Sequence, residues 1–164
     1  MQINPDPPQP IQQYLSFHLT LEHQAMLPTR QLSEVFNLDS TQIVPITDML
    51  AAVMGICNHR GEALWLVDLA YLLGLTPLFA QNWRNLNPIK IIVIRECNKL
   101  LGLAVYQVDQ LSLYNLRTFQ SMPVNDYPQS MAFCLQGYNL TPDGKTTIVL
   151  DGKAIFDFLS QLQS

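Results

Sequence analysis

The chain has 164 residues, 48% hydrophobic and 13% charged, with a formal net charge of −4. At that length folding buries roughly 70% of the extended chain's surface, so one domain can stand without disulfide or metal staples, and the apolar content excludes a disordered, collagen-like or coiled-coil chain. The nine Lys and Arg residues are scattered without a basic stripe, which argues against nucleic-acid binding, while so little charge leaves much neutral and apolar surface for protein partners.

Residues 1–10, MQINPDPPQP, read as a flexible proline-rich tail without the apolar run of a signal peptide. From Tyr14 to Leu21, the residues Leu15, Phe17, Leu19 and Leu21 alternate with polar ones, which predicts a half-buried strand. After a turn at Glu22–Gln24, strands are expected at Ala25–Leu27 and Gln31–Phe36, then a short extended piece at Ile43–Ile46. Asp48 is a plausible cap for a helix over Met49–Met54, with Gly55 ending it. The apolar run Met49–Cys57 is far short of the ~20 residues of a membrane span, so no direct membrane insertion and a soluble, cytoplasmic protein are expected.

His59-Arg60-Gly61 predicts a turn, Glu62–Val67 a strand, and Asp68 a cap for a helix over Leu69–Leu73. Thr76–Pro88 reads as a linker carrying Trp83. The β-branched run Ile89–Glu96 predicts a strand that turns at Cys97-Asn98-Lys99 into Leu100–Val105, followed by Val108–Tyr114. Phe119–Ser130 reads as loop. Met131–Tyr138 and Thr146–Leu150 flank a Thr141–Gly144 turn, and Asp151 precedes a final helix over Ala154–Leu162.

Half the chain echoes the other half. Gly61 and Gly144 each stand seven residues before a capping Asp, Asp68 or Asp151, and Gly55 and Gly137 open the two units. Many short strands at close spacing favour β-barrels, and the echo suggests two similar β-lobes, each ending in a short helix. Lobes are expected at about 25–85 and 86–150, with residues 11–21 as a first strand.

Residues that could carry chemistry are few. Cys57, Cys97 and Cys134 lack CxxC spacing and sit in apolar neighbourhoods, which predicts three buried thiols, no disulfide and no metal site. Cys57 and His59, two apart on a strand, could pair as nucleophile and base, but no orienting third group stands out. This leaves a Cys-dependent hydrolase or ligand-binding barrel as a minor reading. His18 and His23 read as surface residues. Asp68 and Asp151 read as caps rather than paired carboxylates. Arg60 is either a solvated turn residue or a guanidinium offered to a partner. Trp65 reads as core, and Trp83 as a docking or lid residue.

The string VMGICNHRGEALWLVDLAYLLGL resembles the hallmark of CheW-like domains: a Gly, an Asn-x-Arg-Gly turn, a strand ending in Val-Asp-Leu, and a Leu-rich helix, here Gly55, Asn58, Arg60, Gly61, Val67, Asp68, Leu69, Leu72 and Leu73. YLSFHL, MLPTRQLSEVF, the IIVIRE–LLGLAVYQV hairpin and the closing LQGYNLTPDGKTTIVLDGKAIFDFL extend the likeness over residues 11–162. The resemblance implies a single all-β domain of two five-stranded SH3-like barrels on a shared core, with a few short helices. It implies a non-enzymatic adaptor without cofactor or metal, recruited from the cytoplasm to membrane receptor arrays. The implied partners are the cytoplasmic hairpin tips of chemoreceptors and the regulatory domain of a CheA-type histidine kinase. The implied receptor face is Leu32, Glu34, Val35, Gly55 and Arg60, while kinase contacts fall on the barrel ends with no residue singled out. Ala52, His59 and Tyr106 stand where the family often has an aromatic residue, Leu and Asp. These departures open a second reading, a scaffold of type IV pilus or phototaxis signalling.

Overall fold

The computed structural model describes residues 10–81, 87–121 and 127–162; Trp83 lies outside them. The strands are β1 (Ile11–His18), β2 (Gln24–Pro28), β3 (Leu32–Leu38), β4 (Val53–His59), β5 (Glu62–Asp68), β6 (Ile89–Glu96), β7 (Lys99–Val105), β8 (Gln107–Asn115), β9 (Leu135–Leu140) and β10 (Thr146–Leu150). Two α-helices, α1 (Leu69–Leu72) and α2 (Gly152–Leu162), follow β5 and β10. The strands form two five-stranded sheets, ordered β3-β6-β7-β5-β4 and β8-β1-β2-β10-β9. The protein is therefore mainly β, as expected.

The sheets divide the chain differently from the expected lobes of 25–85 and 86–150. β6 and β7 stay with β3–β5, because β7 pairs in parallel with β5 through Leu66↔Gly102 to Asp68↔Ala104. The second sheet takes β8, β9 and β10 and completes itself with β1 and β2, since β10 pairs in parallel with β2. The two units are the same series of strands, but in the second the last two are supplied by the beginning of the chain.

The echo in the sequence has a physical origin in how each sheet curls shut. After β3, Asp39 Oδ1 accepts from Thr41 N, and Val44 then bridges to Ile56 of β4 through N···O contacts of 2.8 and 2.9 Å. After β8, Asn115 Oδ1 accepts from Arg117 N, and Gln120 bridges in the same way to Tyr138 of β9, at 2.8 and 2.9 Å. Gly55 and Gly137 stand immediately before the bridged residues with φ of +140° and +155°. A Cβ there would lie 2.1 Å from the Val44 carbonyl oxygen and 2.5 Å from that of Gln120. Only glycine lets the returning chain approach so closely.

This overturns the helix expected over Met49–Met54. Asp48 has a φ of +62° and sits in a turn, and Val53 already begins β4. The Asp68 amide donates to the Ala52 carbonyl at 2.8 Å, tying the turn to the neighbouring strand. The apolar run follows a strand's burial, and Gly55 marks a bulge inside it rather than a helix end.

β1 starts and ends three residues earlier than expected. Thr20 Oγ1 accepts from the amides of Glu22 and His23, and the resulting turn leaves Leu21 74% exposed instead of inward. Flanked by β8 and β2, β1 is buried on both faces from Tyr14 to Phe17.

The core has three parts. Between the sheets, Leu15, Phe17, Leu27 and Ile148 meet Val67, Ile92, Ile94 and Leu103, with α1 and α2 adding Leu69, Leu72, Ile155 and Leu159. Inside the β3–β7 barrel lie Cys57, Leu64, Leu66, Ile91 and Val93. Inside the other lie Tyr14, Met26 and Val149 with Tyr114 and Phe119. β6 serves two of these cores at once, with Ile91 and Val93 in one and Ile92 and Ile94 in the other, so its apolar run is continuous rather than alternating. No described helix is long and apolar enough to cross a membrane.

Both aspartates are caps. Asp68 Oδ1 accepts from Tyr71 N at 3.2 Å, and its Oδ2 accepts from Leu78 N at 2.7 Å. Burial pushes the Asp68 carboxyl up from its ordinary pKa, against the pull of these amides. Asp151 Oδ1 accepts from Lys153 N at 3.0 Å and from Gln31 Nε2 at 2.9 Å, while Gln31 Oε1 accepts from Gly152 N at 2.6 Å.

Candidate protein-interaction face

The β4–β5 hairpin builds the centre of the face. His59 pairs with Glu62 across a two-residue turn whose central residues, Arg60 and Gly61, have φ of +53° and +84°. Positive φ at both positions belongs to the tight hairpin turn that favours Asn-Gly. Asn58 Oδ1 accepts from Gly61 N at 2.9 Å and fixes it. A left-handed conformation at a non-glycine residue costs roughly 1–2 kcal/mol. This chain keeps a long cation at a strained position, and its side chain is 77% exposed.

β3 supplies the rest. A bulge between Leu32 and Glu34 shifts the register, so Leu32 lies opposite Ile94 and Val35 opposite Ile92, on the side of the shared core. Leu32 packs against that core, whereas Val35 is 42% exposed at the sheet edge. Glu34 and Phe36 lie opposite Val93 and Ile91, on the barrel side. Of the five residues named from the resemblance, the structure joins Glu34 and Arg60 directly, with Arg60 Nη2 donating to Glu34 Oε2 at 3.1 Å. Leu32 and Val35 occupy the other face of β3. Gly55 is buried under the Val44 carbonyl and acts through backbone shape.

Sequence reasoning weighed His59 as a base for Cys57 and as a departure from the family pattern, but did not place it on this face. Its Nε2 lies 2.7 Å from Glu34 Oε1, and its ring stacks on Phe36 with centroids 4.8 Å apart. The available signals were the departure at position 59 and the strand spacing of Glu34 and Phe36. A groove of about 800 Å³ runs from this cluster past Glu62, Trp65 and Lys99 to Phe156 and Ser160 of α2. Trp65 packs partly buried against the shared core, as expected.

Cys57 is not placed as an activated nucleophile. Cys57 is 2% exposed inside the barrel, and burial raises its thiol pKa, the opposite of what attack requires. His59, its expected base, is engaged with Glu34. Cys134 is buried too, its pKa pushed up to about 12 by burial first and by the negative charge of Asp151 second. Cys97, expected to be buried, is exposed, because it forms the β6–β7 turn at a φ of +56°. His18 is half-buried rather than a free surface residue, with Nδ1 2.7 Å from Asp109 Oδ2. His23 sits in its turn with Nδ1 2.7 Å from Thr20 Oγ1. Among the described residues no three His, Cys, Asp or Glu side chains cluster as a metal site.

The family model described as CheW-like domain matches residues 13–159. Among solved structures, the chain is similar to the scaffolding protein TtCheW from Thermoanaerobacter tengcongensis at 20% identity, with a TM-score of 0.69 over 85% of this chain and 88% of that one. That likeness is one of fold. Comparison with curated proteins gives no match.

Proposed function

Because this chain belongs to the CheW-like domain family, we propose that it is a non-catalytic signalling adaptor. In this reading it couples the cytoplasmic hairpin tip of a chemoreceptor to the regulatory domain of a CheA-type histidine kinase, in the cytoplasm at membrane receptor arrays. The observation that carries the proposal is the extent of the family match, which spans both sheets and both helices rather than one motif. The geometry of Arg60 supports it. A fold that needed only a tight turn would use Asn at that position, and strain retained at an exposed side chain points to use by a partner. Val35, exposed on a rigid strand, offers apolar contact to a helical hairpin.

The test is titration of wild type, Arg60→Ala and Arg60→Lys against receptor-tip fragments and CheA-type regulatory domains, taken from chemotaxis and pilus systems alike. The Ala variant should fold normally, because an exposed ion pair contributes under about 1 kcal/mol. It should bind the tip about thirtyfold more weakly, as for loss of an interface anchor. Lys should restore little, since a point charge lacks the guanidinium fork. Failure of the wild type to bind any tip or kinase domain, or equal binding by all three, refutes the adaptor reading of this face.

A further inference from the structure

β3 and β4 are the two edges of their sheet and share no ladder. At the hairpin end, side chains join them instead. His59 lies nearly flat on Phe36, at 20° between ring planes, and reaches one oxygen of Glu34 while Arg60 holds the other. The three are not equally exposed. The side chains of His59 and Glu34 are 13% and 23% exposed, against 77% for Arg60. Glu34 is thus held from beneath by imidazole and from outside by guanidinium. Arg60 lends Glu34 one Nη2 contact, and Arg carries five N–H donors in all.

Resting on the adaptor reading of this face, we propose that His59 is a positioning residue that selects the partner. By anchoring Glu34 against the barrel, it makes the surface present a guanidinium rather than a carboxylate, which suits a helical hairpin bearing an acidic side chain at its tip. The charges facing the cluster are Glu34 from β3, Arg60 and Glu62 from the hairpin, and Lys99 from β7. With Glu34 held inward, the charge that faces outward at the hairpin is Arg60, 77% exposed, so an acidic tip is preferred to a neutral one. A histidine that merely filled space could be replaced by leucine without loss of that preference.

The experiment uses the full chain as wild type, His59→Gln and His59→Leu. Gln keeps an N–H for Glu34, and Leu keeps bulk without one. The probes are a receptor-tip hairpin fragment with glutamate at its turn and the same fragment with glutamine there. At fixed pH, wild type should bind the glutamate fragment roughly fivefold more tightly than the glutamine fragment. His59→Gln should keep that preference, and His59→Leu should lose it, because Glu34 is released. Melting curves confirm that each variant is folded. A second readout needs no partner. The Arg60 Nε–H resonance should stay near its wild-type position in His59→Gln and move in His59→Leu. An unmoved resonance in His59→Leu, or a glutamate preference that survives in that variant, overturns the proposal. A resonance that moves as expected in a protein that binds no tip upholds the coupling of His59 to Arg60 and refutes the adaptor reading instead.

Discussion

Four glycines with positive φ make a controlled experiment. Gly61 and Gly144 have φ of +84° and +86° in hairpin turns, and a Cβ on either would meet nothing within 4 Å. Gly55 and Gly137 have φ of +140° and +155°, and a Cβ on either would lie within 2.5 Å of a backbone oxygen. Alanine at Gly61 or Gly144 therefore bears the conformational cost alone, roughly 1–2 kcal/mol. Alanine at Gly55 bears a similar strain and must also push Val44 away, and with it two backbone hydrogen bonds to Ile56 of 2.8 and 2.9 Å. At about 0.5–1.5 kcal/mol for each bond and about 1–3 kcal/mol for the strained backbone, Gly55→Ala should lose about 2–6 kcal/mol. That is a large share of a typical stability of about 5–15 kcal/mol. Gly137→Ala should behave alike through Gln120. Urea melts of the four variants at fixed pH measure the differences, and a fall in Tm of roughly 4–24 °C should accompany the larger two. Equal losses at all four positions would refute the reasoning, because they would mean that the close approach of Val44 and Gln120 contributes nothing. The result also bears on function. Gly55 is buried, so if the proposed receptor binding is lost in a Gly55 variant, stability should fall in step.

Asp68→Ala strands two amides, one of them buried, and should cost about 2–3 kcal/mol in urea melts, whereas Asp151→Ala, at a half-exposed cap, should cost about 1 kcal/mol. Burial raises the folded-state pKa of Asp68 above its unfolded value. Its contribution is therefore fully present below the unfolded value of ~3.9 and is lost as pH rises through the raised one. The cost of Asp68→Ala should shrink from about pH 4 toward neutrality, and a cost that grows over that interval contradicts the assignment. A thiol reagent at neutral pH should label Cys97 of the native protein quickly and leave Cys57 and Cys134 until unfolding. Rapid labelling of Cys57, read by peptide mass, would revive a nucleophile in the barrel.

Local chemistry was legible in the chain itself. The β-branched run of β6, the Thr141–Gly144 turn, the capping aspartates and the helical spacing of Ile155, Phe158, Leu159 and Leu162 are short-range properties, and each formed near its expected place. The half-chain echo was legible too, since Gly55 and Gly137 answer the same backbone demand. The likeness to CheW-like domains, carried by the Asn58–Gly61 turn and Val67-Asp68-Leu69, was readable for the same reason, because a turn and a cap are written within a few residues.

What the sequence could not decide were pairings between distant segments. Met49–Met54 has a helix's composition, yet Asp68 bonds the Ala52 carbonyl and Val53 pairs with Val67 of β5, so it becomes turn and strand. The division of strands between sheets rests on two parallel pairings, β5 with β7 and β2 with β10, and nothing local encodes a partner up to 123 positions away. The face at Arg60 arose similarly. Glu34 and His59 are 25 residues apart and meet because a bulge turns Glu34 toward the barrel while the sheet's curl brings its two edges together. Sequence determines which residues can turn, cap and alternate. Only the closure of the sheet determines which side chains share a surface, because closure depends on the summed twist and register of five strands rather than on any one of them.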